Sequence, residues 1–149
     1  MAEITRKELI LALVASGTTP RLAGVNLSAL DMTRIDMSGA NLRGANMQAA
    51  TLRESIMRNA NMPFVDMSVV QAVGLDLDGA NLTGSNLSGA NLQAARLTNA
   101  NLTNVTLNGA NLQGANMKSA NINGIKFDEK TTWPDGKKGS QANPADYTK

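Results

Sequence analysis

The chain has 149 residues, is 42% hydrophobic but only 3% aromatic, carries a formal net charge of +2, and contains neither cysteine nor histidine. That composition excludes disulfides, thiol catalysis, the usual Cys/His zinc sites and histidine-based triads. The small, dispersed charge is too weak for a nucleic-acid footprint, and no apolar run of about 18 residues is present to span a membrane.

The chain opens with Thr5-Arg6-Lys7-Glu8, the pattern of a capping box, followed by Leu9, Ile10, Leu11, Leu13 and Val14 and then Gly17 as a stop. This predicts an amphipathic helix over 6–16 within a first segment of 1–20, with the task of covering the apolar end of whatever follows. A signal peptide with Leu9–Ala15 as its apolar region is the rival reading. That region is short and is flanked by Glu3 and Glu8, which favours the cap. The expected compartment is the cytoplasm, with an exported form left open.

From Leu22 to Phe127 a large apolar residue recurs every five positions, with Ala72 as the one small exception. On a straight helix, spacings of five would spiral around all sides; on a straight strand they would alternate faces. The chain must therefore bend once per repeat. Within a repeat, the central Leu or Met and the small residue two before it point inward, while the Asn or Asp between them points out. The remaining two positions are rich in Gly, Ser, Thr, Asn and Gln, as in Thr83-Gly84 and Asn108-Gly109, and form corners. Leu82, Leu87, Leu92, Leu97, Leu102, Leu107 and Leu112 are the expected structural core. Successive turns can stack as in other solenoids.

The stretches Ala80–Gly84 (Ala-Asn-Leu-Thr-Gly), Ala90–Ala94, Ala100–Asn104 and Ala110–Gly114 resemble the A(D/N)LXX signature of pentapeptide-repeat proteins, and the register covers roughly residues 20–127. The resemblance implies an all-β fold: a right-handed quadrilateral parallel β-helix, the pentapeptide-repeat solenoid, of about five coils over 21–127. Each coil would hold four repeats, and the short N-terminal helix would cap it.

Stacked at intervals of 20, the sequence places Asn41, Asn61, Asn81, Asn101 and Asn121 in one outward column, read as a structural amide ladder. Around Ala72 the pattern falters, with Val70 and Leu75 larger than the usual Ala, as if volume were exchanged between inward positions. Apolar residues also reach outward positions there: Ile56, Pro63, Phe64, Val69 and Val73. Beside them Arg34, Arg43, Arg53 and Arg58 form an arginine belt able to grip phosphate or a carboxylate-rich partner, set against the plainer reading of a solvated mixed surface. Ile56, Phe64, Val69, Val73 and the four arginines are the candidate partner surface.

After Phe127 the register is expected to end, with Trp133-Pro134-Asp135-Gly136 as a turn and the rest of 128–149 as a disordered polar tail. Phe127 and Trp133 are expected to plug the last coil rather than to dock a ligand. Phe127–Gly136 resembles the ending of many bacterial, especially cyanobacterial, members of the family.

Nearly all the sequence information goes into the core. The expectation is therefore a non-catalytic structural or interaction module, with no catalytic residues, no cofactor and no metal, and with another protein as partner. A monomer is expected, an end-to-end dimer being the alternative. Some family members regulate topoisomerases by imitating DNA with acidic rods; the positive charge here disfavours that. An enzyme is disfavoured too, since Asp76 and Asp78 lie two apart on a convex surface with no cleft to desolvate them.

Overall fold

A computed structural model describes residues 2–149 of the chain. Its body is a right-handed, four-sided parallel β-helix of five complete coils and part of a sixth. The residue before each central position pairs in parallel with its equivalent 20 residues on, without a break from Arg21↔Asn41 to Thr106↔Lys126. Coils 1 to 5 are residues 21–40, 41–60, 61–80, 81–100 and 101–120. Faces 1 to 4 are the columns that begin with Leu22, Leu27, Met32 and Met37. Each coil clamps the next by backbone bonds on every side: the Leu82 N–H donates to Asn101 O, the Gly84 N–H to Thr103 O and the Asn101 N–H to Ala80 O, each at 2.9 Å. This is how a chain with so little extended structure satisfies its backbone.

The interior is the column of central residues with their small neighbours. Leu82, Leu87, Leu92, Leu97, Leu102, Leu107 and Leu112 are all buried, as are Val70, Ala72 and Leu75, which share space in coil 3. Polar residues at the small inward position are bonded: the Ser55 hydroxyl donates to Met32 O at 2.6 Å and the Ser85 hydroxyl to Met62 O at 2.8 Å. The Asn or Asp before each centre has a further role. Its Oδ1 accepts the N–H two residues on, as in Asn26 to Ser28 (3.0 Å) and Asn111 to Gln113 (3.0 Å), which caps a donor that the coil leaves free. Part of the amide ladder is also present: Asn61 Nδ2 donates to Asn41 Oδ1 at 3.5 Å and Asn81 Nδ2 to Asn61 Oδ1 at 3.3 Å.

Helix α1 (Arg6–Ser16) carries the capping box at Thr5 and Glu8 and ends at Gly17. It lies across the start of coil 1, held by the Glu3 N–H on Asn26 O (2.9 Å) and by Arg6 on the carbonyls of Asp31 (2.8 Å) and Thr33 (2.7 Å). The helix is less amphipathic than its sequence predicts. Leu9 is buried and Leu13 half-buried, but Ile10, Leu11 and Val14 stay exposed. Apolar residues at 9, 10, 11, 13 and 14 span more than half the circumference at ~100° per residue, and one flat coil end cannot cover them all.

The C-terminal end departs from expectation in two ways. First, the register continues for one more repeat, displaced by a residue: Asn111 pairs with Thr132, 21 on, and the Thr131 hydroxyl takes the inward serine's part by donating to Leu107 O at 2.8 Å. The Asp128 carboxylate absorbs the extra residue by accepting the N–H of Gly109 at 2.8 Å, a bond that holds its pKa below the usual range. Second, the residues after the turn are folded rather than a loose tail. Two single 3-10 turns, Gly139–Gln141 and Pro144–Tyr147, bring Tyr147 into a stack on Trp133 with ring centroids 5.9 Å apart. Trp133 is fully buried, its indole N–H donates to Gly139 O at 2.8 Å, and Phe127 meets it edge-on at 5.1 Å. Aromatic anchors thus order a segment whose composition alone reads as mobile.

Candidate functional site

The second corner residue of the coil repeats has positive φ whether or not it is glycine. Most of these positions hold Gly, Ala, Asn or Ser, and outside coil 3 the exceptions are Arg34 and Glu54. Coil 3 instead uses Phe64 at φ 59° and Val69 at φ 51°, on successive corners. For a β-branched residue this is a real outlier, and for both the left-handed backbone costs energy. Both side chains are also exposed, Phe64 by 58% and Val69 by 48%. Each leans along the rod over a glycine one coil on: a Cβ at Gly84 would lie 2.7 Å from the Phe64 ring, and one at Gly89 would lie 3.0 Å from Val69 Cγ1. That partnership was legible in the sequence as a bulky corner followed 20 residues later by Gly, a signal that the five-residue reading passes over.

The arginines of the expected belt part company. Arg34 donates through Nε to Glu54 Oε2 at 2.7 Å, one coil on along the same corner. Arg58 does the same to Asp76 Oδ2 at 2.6 Å, which begins a ladder on face 4. Arg96 continues it, 3.7 Å from Asp76 and 3.2 Å from Asp78. Hydrogen bonds from Thr98 and Asn99, then Arg96 and Arg58, hold the Asp78 carboxyl below the ordinary range. By contrast Arg43 lies with its guanidinium 5.5 Å over the Phe64 ring, a cation–π contact. Among the described residues neither Arg43 nor Arg53 forms an ion pair.

The eight candidate residues do not share one plane. Arg43 and Phe64 belong to face 1 and its corner, Val69 to the corner after face 2, Arg34, Arg53 and Val73 to face 3, and Ile56 and Arg58 to face 4. Ile56 and Val73 are half-buried and Pro63 is buried. Phe64, Val69 and Val73 follow one another around coil 3 on two successive corners and face 3, with outward Asp66 and Gln71 between them, and Arg43 and Arg53 stand on faces 1 and 3 of coil 2. No group of three or more carboxylates that could hold a metal ion comes together among the described residues. The hollows beside α1 are open grooves, one lined by Leu13, Val14, Pro20, Asp36 and Arg58.

The pentapeptide-repeats model matches residues 21–59, 70–99 and 95–129, with eight copies in all. The chain belongs to the pentapeptide-repeat family. No curated protein matches it in sequence. The crystal structure of Rfr23, a pentapeptide-repeat protein from the cyanobacterium Cyanothece 51142, is 29% identical, with a TM-score of 0.53 over 86% of this chain and 99% of that one. HetL from the cyanobacterium Nostoc sp. strain PCC 7120, a protein involved in heterocyst differentiation regulation, is 26% identical (TM-score 0.36, 80% of this chain and 62% of that one). QnrB1, a plasmid-mediated fluoroquinolone resistance protein, is 18% identical (TM-score 0.47, 73% and 61%). The stretch of the repeat region that the family model leaves unmatched, 60–69, holds both Phe64 and Val69. None of the described helices is long and apolar enough to cross a membrane.

Proposed function

We propose that this pentapeptide-repeat protein is a non-catalytic interaction module that binds another protein along the coil-3 band of Phe64, Val69 and Val73. The observation that carries this reading is the pair Phe64 and Val69, exposed apolar side chains held at positive φ where neighbouring coils place small or polar residues. Stability alone would favour glycine at both corners, and strained, exposed hydrophobic residues in one coil are what a docking surface needs. The rod supplies rigidity, so a partner meets the band without an ordering cost on this side. Imitation of duplex DNA is disfavoured by face 4, where Asp36, Arg58, Asp76 and Arg96 alternate in sign along the rod instead of forming an acidic strip.

A photocrosslinking residue placed at 64, compared with one at Thr103 on the same face two coils away, tests the proposal in extracts of the source organism. The expected result is a saturable adduct from position 64 that disappears with Val69→Asp and is absent from position 103. Equal labelling from both positions, or an adduct indifferent to Val69→Asp, would count against a binding band.

A further inference from the structure

We infer that the segment bound at coil 3 is acidic as well as apolar: it lays hydrophobic side chains on Phe64, Val69 and Val73 and sets carboxylates on Arg43 and Arg53. The inference rests on the docking reading above and adds the partner's chemistry to it.

Its basis is the division of the arginines. Arg34, Arg58 and Arg96 each have a carboxylate of the rod at 2.7, 2.6 and 3.2 Å, so their charge is spent inside the molecule. Arg43 and Arg53 form no ion pair among the described residues, and they stand in coil 2, one on face 1 and one on face 3. Arg43 is also oriented. Its Cζ lies over the Phe64 ring, 5.5 Å from the centroid, and a guanidinium carries a planar fork of N–H donors suited to a bidentate carboxylate. Asp66, the one acid inside the band, has an oxygen occupied by the Ser68 N–H at 2.9 Å and the Asn86 amide at 3.5 Å. Arginine is also among the residues enriched at binding hot spots. A nucleic acid fits less well, since a single aromatic and two arginines against one aspartate make neither a stacking row nor a basic track.

The test is selection of a random displayed peptide library on the full-length protein, followed by affinity measurement of synthesised winners. Winners are expected to combine two or more apolar residues with Asp or Glu. Their affinity should fall about tenfold with Arg43→Gln plus Arg53→Gln, and about thirtyfold with Phe64→Ser. It should also weaken between about 0.05 and about 0.5 M salt. Phe64→Gly serves as a second variant, because it removes the ring while relaxing the corner; melting curves verify that every variant is folded. Neutral or basic winners that ignore the arginine substitutions but fail with Phe64→Gly would overturn the acidic chemistry and leave the docking band standing. Winners indifferent to Phe64→Gly, or no enrichment at all, would overturn the docking band as well. Oligothymidine that binds as tightly as the peptides and displaces them would overturn a protein partner in favour of single-stranded nucleic acid.

Discussion

Coil 5 (101–120) turns its corners on Asn104, Gly109, Gly114 and Ser119, whereas coil 3 (61–80) uses Phe64, Val69, Gly74 and Gly79 at the same places. Both coils keep the same parallel bridges to the coil before them and the same left-handed corners. Inside, the contrast continues on face 3, where coil 5 has Leu112 flanked by Ala110 and Ala115, and coil 3 has Ala72 flanked by Val70 and Leu75. The difference teaches that the backbone of this fold is indifferent to much of its sequence. A coil can move volume between inward positions, and it can accept strained corners, without losing its place in the stack. Coil 5 records what stability prefers, and coil 3 records what stability tolerates.

The largest test of that contrast lies in the core. Leu112→Ala should leave a cavity and cost ~2–5 kcal/mol in urea or thermal unfolding. Ala72→Leu, in the same column, should cost ~1–3 kcal/mol by overpacking against Val70 and Leu75. Unchanged melting of Ala72→Leu would mean that coil 3 is underfilled rather than rearranged. Next come the corners. Val69→Gly should stabilise by up to ~1 kcal/mol, the released strain exceeding glycine's added chain entropy, while abolishing partner binding. Asn104→Gly, at the equivalent step on another corner of coil 5, should shift stability by only a few tenths of a kcal/mol. If Val69→Gly instead destabilised, the corner would be paid for by packing and would say nothing of a partner.

A smaller effect is expected at the outward amide. Asn111→Ala removes the acceptor for the Gln113 N–H and should cost ~1 kcal/mol. Gln71→Asn, which offers coil 3 the same cap for the Val73 N–H, should gain a few tenths of a kcal/mol, measurable as a raised denaturation midpoint.

The pH response is the mildest distinction. Asp78 in coil 3 and Asp135 beyond coil 5 both have depressed pKa values, Asp135 to about 2 through the Lys137 side chain, the Lys137 N–H and the Tyr147 hydroxyl. A depressed carboxylate stabilises above its unfolded pKa and loses that contribution as pH falls through the folded value, so the C-terminal end should weaken from about pH 4 down to about pH 2 and the Asp78 region should lose its contribution in acid as well. Tyr147 is pushed up to about 12, by burial first and by Asp135 second. A raised folded pKa gives stability that is complete below the unfolded value near 10 and lost toward 12, so only the C-terminal end should loosen in alkali. Trp133 fluorescence over both ranges reads this directly.

The periodicity made the stack, its register and its aliphatic core readable in advance, because burying one residue in five leaves few geometries open. The helix cap was equally plain from Thr5 and Glu8. What escaped was whatever depends on neighbours a full coil apart. The pairing of Arg34 with Glu54 and of Arg58 with Asp76 requires knowing which side chains lean toward the next turn. The local chain gives no hint of that direction. Tyr147 was missed for a related reason: a lone aromatic in a polar tail is silent until the Trp133 surface it stacks on is placed.

The single residue inserted around Asp128 also bears on growth. A rod of identical turns is a screw thread, and any second thread of equal pitch could run on from its end. By spacing Thr132 at 21 instead of 20 from its partner and folding Lys138 back against it in an antiparallel bridge, the chain changes pitch at the last turn. The edge at this turn is therefore antiparallel and lysine-bearing, unlike the parallel edges that every earlier coil offers the next.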